Sequence, residues 1–345
     1  MACWTRLRAP GGRKSCPGRD HAPGRSLTVD EFSLIDLIAT TLDAKRGALE
    51  GVGDDAAILE VPAGRQLVVT TDTLVEDVHF EAGTAPADIG YKSLAVNLSD
   101  LAAMGADPAW YLLALTLPTM NAEWCRAFAL GMHELAVDCG IRLVGGDLTS
   151  GPLTITVTAC GLVRPGTALL RSGARVGDVI GISGPTGLAA RAVLELKDLR
   201  DPAPACLRAL RRPVPRVKLG QALGGLANSC IDISDGLLAD LGHIVKASGV
   251  GAVVELARLP SPAELSDLSD EDRWDLQLGG GDDYELCFTA APERWEEING
   301  RLKALGAKVT AIGKVVEGEG CSCLRPGGGE YRPRSPGYMH GGVGT

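Results

Sequence analysis

Leu94-Ala95-Val96-Asn97-Leu98-Ser99-Asp100-Leu101-Ala102-Ala103-Met104 is an apolar helical stretch interrupted by Asn97 and Asp100. These two polar residues are spaced i, i+3 and share one helix face. The helix opens at Ala85-Pro86-Ala87-Asp88, with proline near its start, where a missing backbone N–H is tolerated. The polar stripe is either the solvated side of the helix or a face lining a cation site. Which of the two holds decides how the rest of the chain is read.

Upstream, Asp30 to Ile38 has apolar residues at helical spacing, and a glycine turn follows at Gly51-Val52-Gly53-Asp54-Asp55. Ile58 to Val61 and Gln66 to Thr71 read as a β-hairpin around Pro62-Ala63-Gly64. Downstream, a strand at Trp110 to Leu117 ends at Pro118, a helix runs from Glu123 to Gly140, and strands follow at Arg142 to Asp147 and Leu153 to Val163. The pattern restarts around Arg164-Pro165-Gly166, which sets a first domain at 27–164 and a second at 165–345. The second has strands near 178–183, 230–233 and 285–289, and helices near 188–196, up to 222, 237–247 and 294–305. Residues 198–215 read as a charged, proline-rich connection, and the tail after Gly327 reads as mobile. The fold class expected is α+β in the first domain and close to α/β in the second.

A length of 345 residues fits two domains, and 45% hydrophobic with 22% charged residues is ordinary for a globular chain. The formal charge of −9 argues against a nucleic-acid partner, which needs a positive surface, but not against a nucleotide carried with cations. The ten cysteines are scattered with no C-x-x-C pair, which reads as reduced thiols in a cytoplasmic protein. No apolar run approaches the roughly 20 residues of a membrane span. Residues 1–26 are basic and lack the apolar core of a secretory signal; they read as a disordered extension or an over-extended start.

Aspartates carry the strongest chemical signal. Asp54, Asp55, Asp72, Asp147, Asp232, Asp235, Asp282 and Asp283 each follow or lie in a strand or glycine turn. Singly, each has a bland explanation, because aspartate is common in turns. Converging in one cleft, they would repel one another unless divalent cations joined them. Mg²⁺ does so with one or two carboxylates plus substrate phosphates. Gly51-Val52-Gly53-Asp54-Asp55-Ala56 is a poor dinucleotide loop, since no strand precedes it and two carboxylates would face the pyrophosphate. Gly184-Pro185-Thr186-Gly187 joins a strand to a helix start; it is either a phosphate-binding turn or a plain tight turn. A P-loop, the protein-kinase H-R-D and D-F-G signatures and a zinc-protease H-E-x-x-H are all missing. His79 and Arg171 are further candidates, each with a structural or surface alternative.

Gly51–Ala56, Thr70–Val75, Val96–Ala106, Gly145-Gly146-Asp147, Ile233–Leu237 and Gly280–Leu286 together, in this order, resemble the thiamine-monophosphate kinase family. The resemblance spans about Phe32 to Tyr338. It implies the fold of aminoimidazole ribonucleotide synthetase: an N-terminal α+β domain that dimerises through a mixed β-sheet, then a C-terminal α/β domain. It implies direct in-line transfer from ATP to thiamine monophosphate, the last step of thiamine diphosphate biosynthesis, with several Mg²⁺ ions. By motif, Asp55, Thr70, Thr71, Asp72, Asp100, Asp147, Asp232 and Asp235 would hold magnesium. Gly146, Asp147, Arg171 and Ser234 would contact ATP, while His79, Asp282 and Tyr338 would face the acceptor. The family often has Glu where this chain has Asp282, and its compact start lacks the extension before Leu27. The rival readings are another ATP-dependent synthetase of the superfamily and a non-catalytic nucleotide- or metal-binding relative. Selenophosphate synthetase, one such rival, needs a reactive Cys beside a Lys in an N-terminal glycine loop, which this chain lacks.

Overall fold

The structure, a computed structural model, describes residues 31–44, 51–335 and 337. The first half runs α1 (Glu31–Thr41), β1 (Gln66–Val75), α2 (Pro86–Ala103), β2 (Asp107–Leu117), α3 (Ala122–Cys139), β3 (Arg142–Ser150) and β4 (Thr154–Val163). The second runs β5 (Val179–Ile182), α4 (Leu188–Lys197), α5 (Pro204–Arg211), α6 (Val217–Leu223), β6 (Ser229–Asp232), α7 (Leu237–Ser248), β7 (Gly251–Glu255), α8 (Asp270–Gly279), β8 (Leu286–Ala290), α9 (Trp295–Ala304), β9 (Thr310–Val316), β10 (Gly320–Leu324) and β11 (Glu330–Tyr331). Local chemistry sets several of these limits. Asn121 Oδ1 accepts the N–H groups of Glu123 and Trp124 at 2.9 and 3.0 Å, capping α3, and Gly140 at φ +71° closes it in the left-handed region.

The first sheet has the order β1-β4-β2-β3, with only β2 and β3 parallel. The second has the order β11-β10-β7-β9-β5-β8-β6, with one parallel pair, β7 with β10. Helices pack against both, giving mixed α+β and α/β layers. The expected hairpin around Pro62-Ala63-Gly64 does not form. Residues 59–65 hold no strand, and β1 pairs along its whole length with β4. Pro62 cannot donate to a ladder, whereas β4 offers a strand of strictly alternating burial. Residues 198–215 are not merely a connection, because α5 forms inside them. Pro204 opens that helix, and Cys206 and Leu210, four apart, pack with Ala189 and Ala192 of α4. The segment after Gly327 is partly ordered too: Gly327, Gly328 and Gly329, all at positive φ, turn β10 into β11, and Tyr331 is buried.

α2 is the centre of the molecule. Fourteen of its residues are buried, among them Leu94, Leu98 and Leu101. Two close crossings fix α3 against it: a Cβ on Gly90 would lie 2.1 Å from the Phe128 carbonyl oxygen, and one on Gly131 would lie 1.9 Å from that of Ala87. The other side meets the second half, where Gly220 of α6 leaves no room for a Cβ against the Ala102 carbonyl, at 1.9 Å. One apolar core therefore runs through both halves, joining Leu94 and Leu98 to Leu219, Leu223 and Phe288. Arg212 adds a polar lock between the halves. It pairs with Asp88 at 2.6 Å and Glu134 at 2.8 Å, with its guanidinium 5.1 Å from the Tyr91 ring centre. Asn97 is fully buried and donates to the Ser93 carbonyl at 3.1 Å. The polar stripe is thus not a solvated side: Asn97 serves the helix, and Asp100 alone turns to a cleft.

Candidate active site

A groove of about 1560 Å³ opens between the halves, and a recess of about 300 Å³ lies beside it. Asp100 and Asp232 line both, so the two spaces meet at these carboxylates. The groove continues past Asp72, Ser234 and Asp235 to His79 and Asp282. The recess is closed by Val68, Met104 and Arg171. Sequence reasoning found each of these polar residues except in one respect: it could not say that they frame two compartments.

The carboxylates come from three elements. Asp72 is on β1, two residues beyond Thr70, so both side chains share the sheet face that meets α2. Thr70 Oγ1 donates a short hydrogen bond to Asp100 Oδ2. Asp232 ends β6, and Ser99 Oγ of α2 donates to its Oδ2 at 2.7 Å. Burial, then the neighbouring Asp100 charge, pushes Asp72 up to about 6. The same two causes push Asp232 up to about 8 against the pull of the Ser99 hydroxyl. Asp100 is also raised by burial, partly offset by Thr70 and the Arg171 guanidinium. These are carboxyl groups whose joint ionisation costs free energy, which is the signature of a site awaiting positive charge. Among the described residues, no three His, Cys, Asp or Glu side chains close a cage around one ion.

Asp235 and Ser234 sit in the turn before α7. That turn is shaped by Asp240, whose Oδ2 accepts the N–H groups of Ser234, Asp235 and Gly236 at 3.0, 3.0 and 3.2 Å. Burial outweighs these bonds and raises Asp240 to about 6. Sequence reading passed over Asp240, although an acid in the first turn of a helix is a legible signal.

At the far end, Val75 N–H donates to His79 Nδ1 at 3.1 Å, which places the proton of a neutral imidazole on Nε2. Asp282 Oδ1 pairs with Lys92 at 3.0 Å and accepts the Tyr284 hydroxyl at 2.9 Å. Lys92, buried on α2, was also passed over; the four-residue steps Asp88, Lys92, Val96, Asp100 along one helix face were the available clue.

Other candidates stand apart. Asp55 is exposed, and its N–H donates to Asp54 Oδ1 at 2.8 Å. Thr71 borders the groove, but its Oγ1 is spent on the outer sheet face, 3.0 Å from Thr158 Oγ1. Asp147 lies on β3, at the opposite edge from β1, about 14 Å away at the usual strand spacing. Gly146 beside it is required by packing, since a Cβ would lie 1.9 Å from the Leu113 carbonyl oxygen. The Gly184–Gly187 loop is a structural turn: Gly187 N–H donates to both oxygens of the half-buried Asp283, at 2.9 and 3.1 Å, and Thr186 donates to the Gln277 carbonyl at 2.8 Å. Tyr338 lies outside the described residues.

The AIR synthase related protein family matches this chain in two parts, its N-terminal domain over residues 53–163 and its C-terminal domain over residues 164–324. The chain is 45% identical to the thiamine-monophosphate kinase of Escherichia coli (strain K12) over 312 residues, covering 87% of this chain and 95% of that one. It is 37% identical to that of Bacillus subtilis (strain 168), over 84% of this chain and 92% of that one. Among solved structures it is similar to the thiamine-monophosphate kinase of Stenotrophomonas maltophilia K279a, with TM-score 0.79 and 46% identity over 85% of this chain and 96% of that one. It is also similar to AaThiL complexed with AMPPCP and TMP, with TM-score 0.70 and 32% identity over 91% of this chain and all of that one (100%). The hydrogenase maturation protein HypE, at 21% identity and TM-score 0.74, shares the fold.

Proposed function

The chain belongs to the thiamine-monophosphate kinase family of AIR synthase related proteins, and from that premise we propose that it passes the γ-phosphate of ATP to thiamine monophosphate, giving ADP and thiamine diphosphate. The observation that carries this reading is the meeting of two compartments at Asp100 and Asp232. One compartment takes the donor and the other the acceptor, with the phosphates at the boundary. The recess, with Arg171 near Asp100, suits the nucleotide phosphates. The larger groove suits the acceptor, with His79 and Asp282 toward its far end.

The transfer is read as in-line. An oxygen of the acceptor phosphate attacks the γ-phosphorus, the bond from that phosphorus to the β-bridging oxygen breaks, and ADP leaves with the electron pair. The attacking phosphate is already ionised, so no strong general base is needed. The chain's work is alignment. Asp72, Asp100 and Asp232, with the Thr70 hydroxyl, fit Mg²⁺ in that their raised proton affinity reports an excess of buried negative charge. Magnesium keeps waters and takes phosphate oxygens as ligands, so a closed protein cage is not required. When bound, it neutralises charge on both phosphates. Asp55, Thr71, Asp147 and Asp235 are proposed as further ligands, Gly146 and Ser234 as ATP contacts and Tyr338 as an acceptor contact, on the family pattern alone.

A homodimer through the first sheet is supported by its outer face. Leu67, Val69 and Leu112 are 44%, 56% and 40% exposed there, apolar side chains that a partner sheet would cover. Asp147, on that same face, would then lie at the interface. A cytoplasmic setting is supported by the free thiols of the eight described cysteines. Among the described residues no helix is long and apolar enough to cross a membrane. We retain a division into domains near residue 164. The decisive experiment is a coupled assay for ADP. Steady ATP consumption that requires both thiamine monophosphate and Mg²⁺ supports the proposal; consumption without the acceptor, or none at all, refutes it.

A further inference from the structure

Lys92 is the one lysine or arginine that is buried as a whole residue among the described residues, at 3% exposure. It shares the groove-facing stripe of α2 with Asp88, Val96 and Asp100, each four residues from the next. At a rise of 1.5 Å per residue, it lies about 12 Å along the helix from Asp100. Its ammonium is committed elsewhere than to the carboxylate cluster. It donates to the His79 carbonyl at 3.1 Å and pairs with Asp282 Oδ1 at 3.0 Å. Oδ1 also accepts the Tyr284 hydroxyl, while no described hydrogen bond or ion pair falls on Oδ2 of this side chain, which is 32% exposed in the groove. One oxygen is thus anchored and the other left for a ligand.

The backbone of this loop needs support. Asp282 and Tyr284 sit at φ +67° and +51°, a region that side-chain-bearing residues keep only when surroundings hold them there. Asp282 N–H donates to the Ser234 carbonyl at 2.9 Å and Tyr284 N–H to that of Ile233 at 2.8 Å. Both tethers lie within the second half. Tyr284 also packs on Leu74 and Val96 of the first half, and Lys92 adds a polar tie, reaching the carbonyl of the very residue whose imidazole lines the groove.

We propose that Lys92 is a positioning residue for the acceptor: it joins the His79 carbonyl to the Asp282 carboxylate, so that imidazole and carboxylate face the groove in fixed register. The inference rests on the groove being the acceptor site. It also accounts for the short Asp282 arm, because an anchored oxygen needs a partner that reaches out to it, and a lysine does.

The test is steady-state kinetics on the full chain, with thiamine monophosphate and ATP varied separately. Lys92→Met is expected to raise the KM for thiamine monophosphate about tenfold or more and to leave the KM for ATP within about twofold. Lys92→Arg recovers much of the loss. In an Asp282→Asn background, Lys92→Met adds little further, since both act through one contact. An unchanged acceptor KM, an equal rise in both KM values, or full additivity overturns the proposal. If circular dichroism shows Lys92→Met unfolded, Tyr284→Phe removes the other donor to Oδ1 and carries the same expectation. A wild-type chain without acceptor-dependent ATP consumption refutes the proposed function itself. An active wild type with an unaffected Lys92→Met refutes only the role of Lys92.

Discussion

Asp232→Asn removes one buried ionisable group while keeping the side chain's shape, and Ser99 Oγ can still donate to the amide oxygen. In the wild type, burial and the Asp100 charge raise the Asp232 carboxyl from 3.8 to about 8. Between those two values the folded protein keeps a proton that the unfolded chain has released. Stability therefore falls as pH rises through the window, by about 1.4 kcal/mol per pH unit for one such group. From pH 5 to pH 7 the loss has an upper bound of about 3 kcal/mol, and the asparagine variant is spared it. Partial solvation of the cluster reduces the expected gain at pH 7 to about 1–3 kcal/mol. At about 1.4 °C per kcal/mol, from roughly 2.1 cal/mol/K of unfolding entropy per residue, the variant should melt about 1–4 °C above wild type at pH 7 in EDTA, with a smaller difference at pH 5. Scanning calorimetry at both pH values measures this. Mg²⁺ at pH 7 should stabilise wild type more than the variant, while the variant loses kinase activity. Identical melting of the two proteins at both pH values would refute the idea that burial and the neighbouring carboxyls disfavour ionisation of Asp232 in the folded protein.

Asp72→Ala or Asp55→Ala should abolish transfer with the fold intact by circular dichroism; near-normal turnover in either would sink the metal-scaffold reading. Gly131→Ala drives a methyl group into the Ala87 carbonyl, so thermal unfolding should show a loss of about 1–3 kcal/mol or more. Arg216→Met strands Glu285, which is 6% exposed on its side chain and otherwise held by Ser183, and should cost about 3 kcal/mol in urea unfolding. Adding Glu285→Gln to that variant should recover part of the loss, and no recovery would count against a stranded charge as the cause.

Local signals made much of this architecture legible. Pro86 and Gly140 announced helix ends, and Leu153 to Val163 read as the strand that forms β4. What failed were pairing partners and short helices. The Pro62 turn suggested a hairpin, but the partner of β1 lies about ninety residues away, at Thr154–Val163, where no local rule points. α5 escaped because only Cys206 and Leu210 anchor it. At the site, single aspartates were visible but their partners were not. The contact of Ser99 with Asp232 joins residues 133 apart, and that of Lys92 with Asp282 crosses between the halves. Asn97 shows the converse error, since a polar residue at helical spacing donates to its own helix and faces neither bulk solvent nor the groove.

A helix packed along most of its surface, with its remaining stripe on the groove, as α2 is, has no neutral face. Drift in most proteins is absorbed on the solvent side of helices, but fourteen positions of this one touch a neighbour. Variation there is confined to exchanges that conserve volume and polarity together. Natural or laboratory evolution toward a different acceptor would therefore leave the axle alone and work on the rim, where Leu194 is 49% exposed and can be exchanged without disturbing the carboxylates.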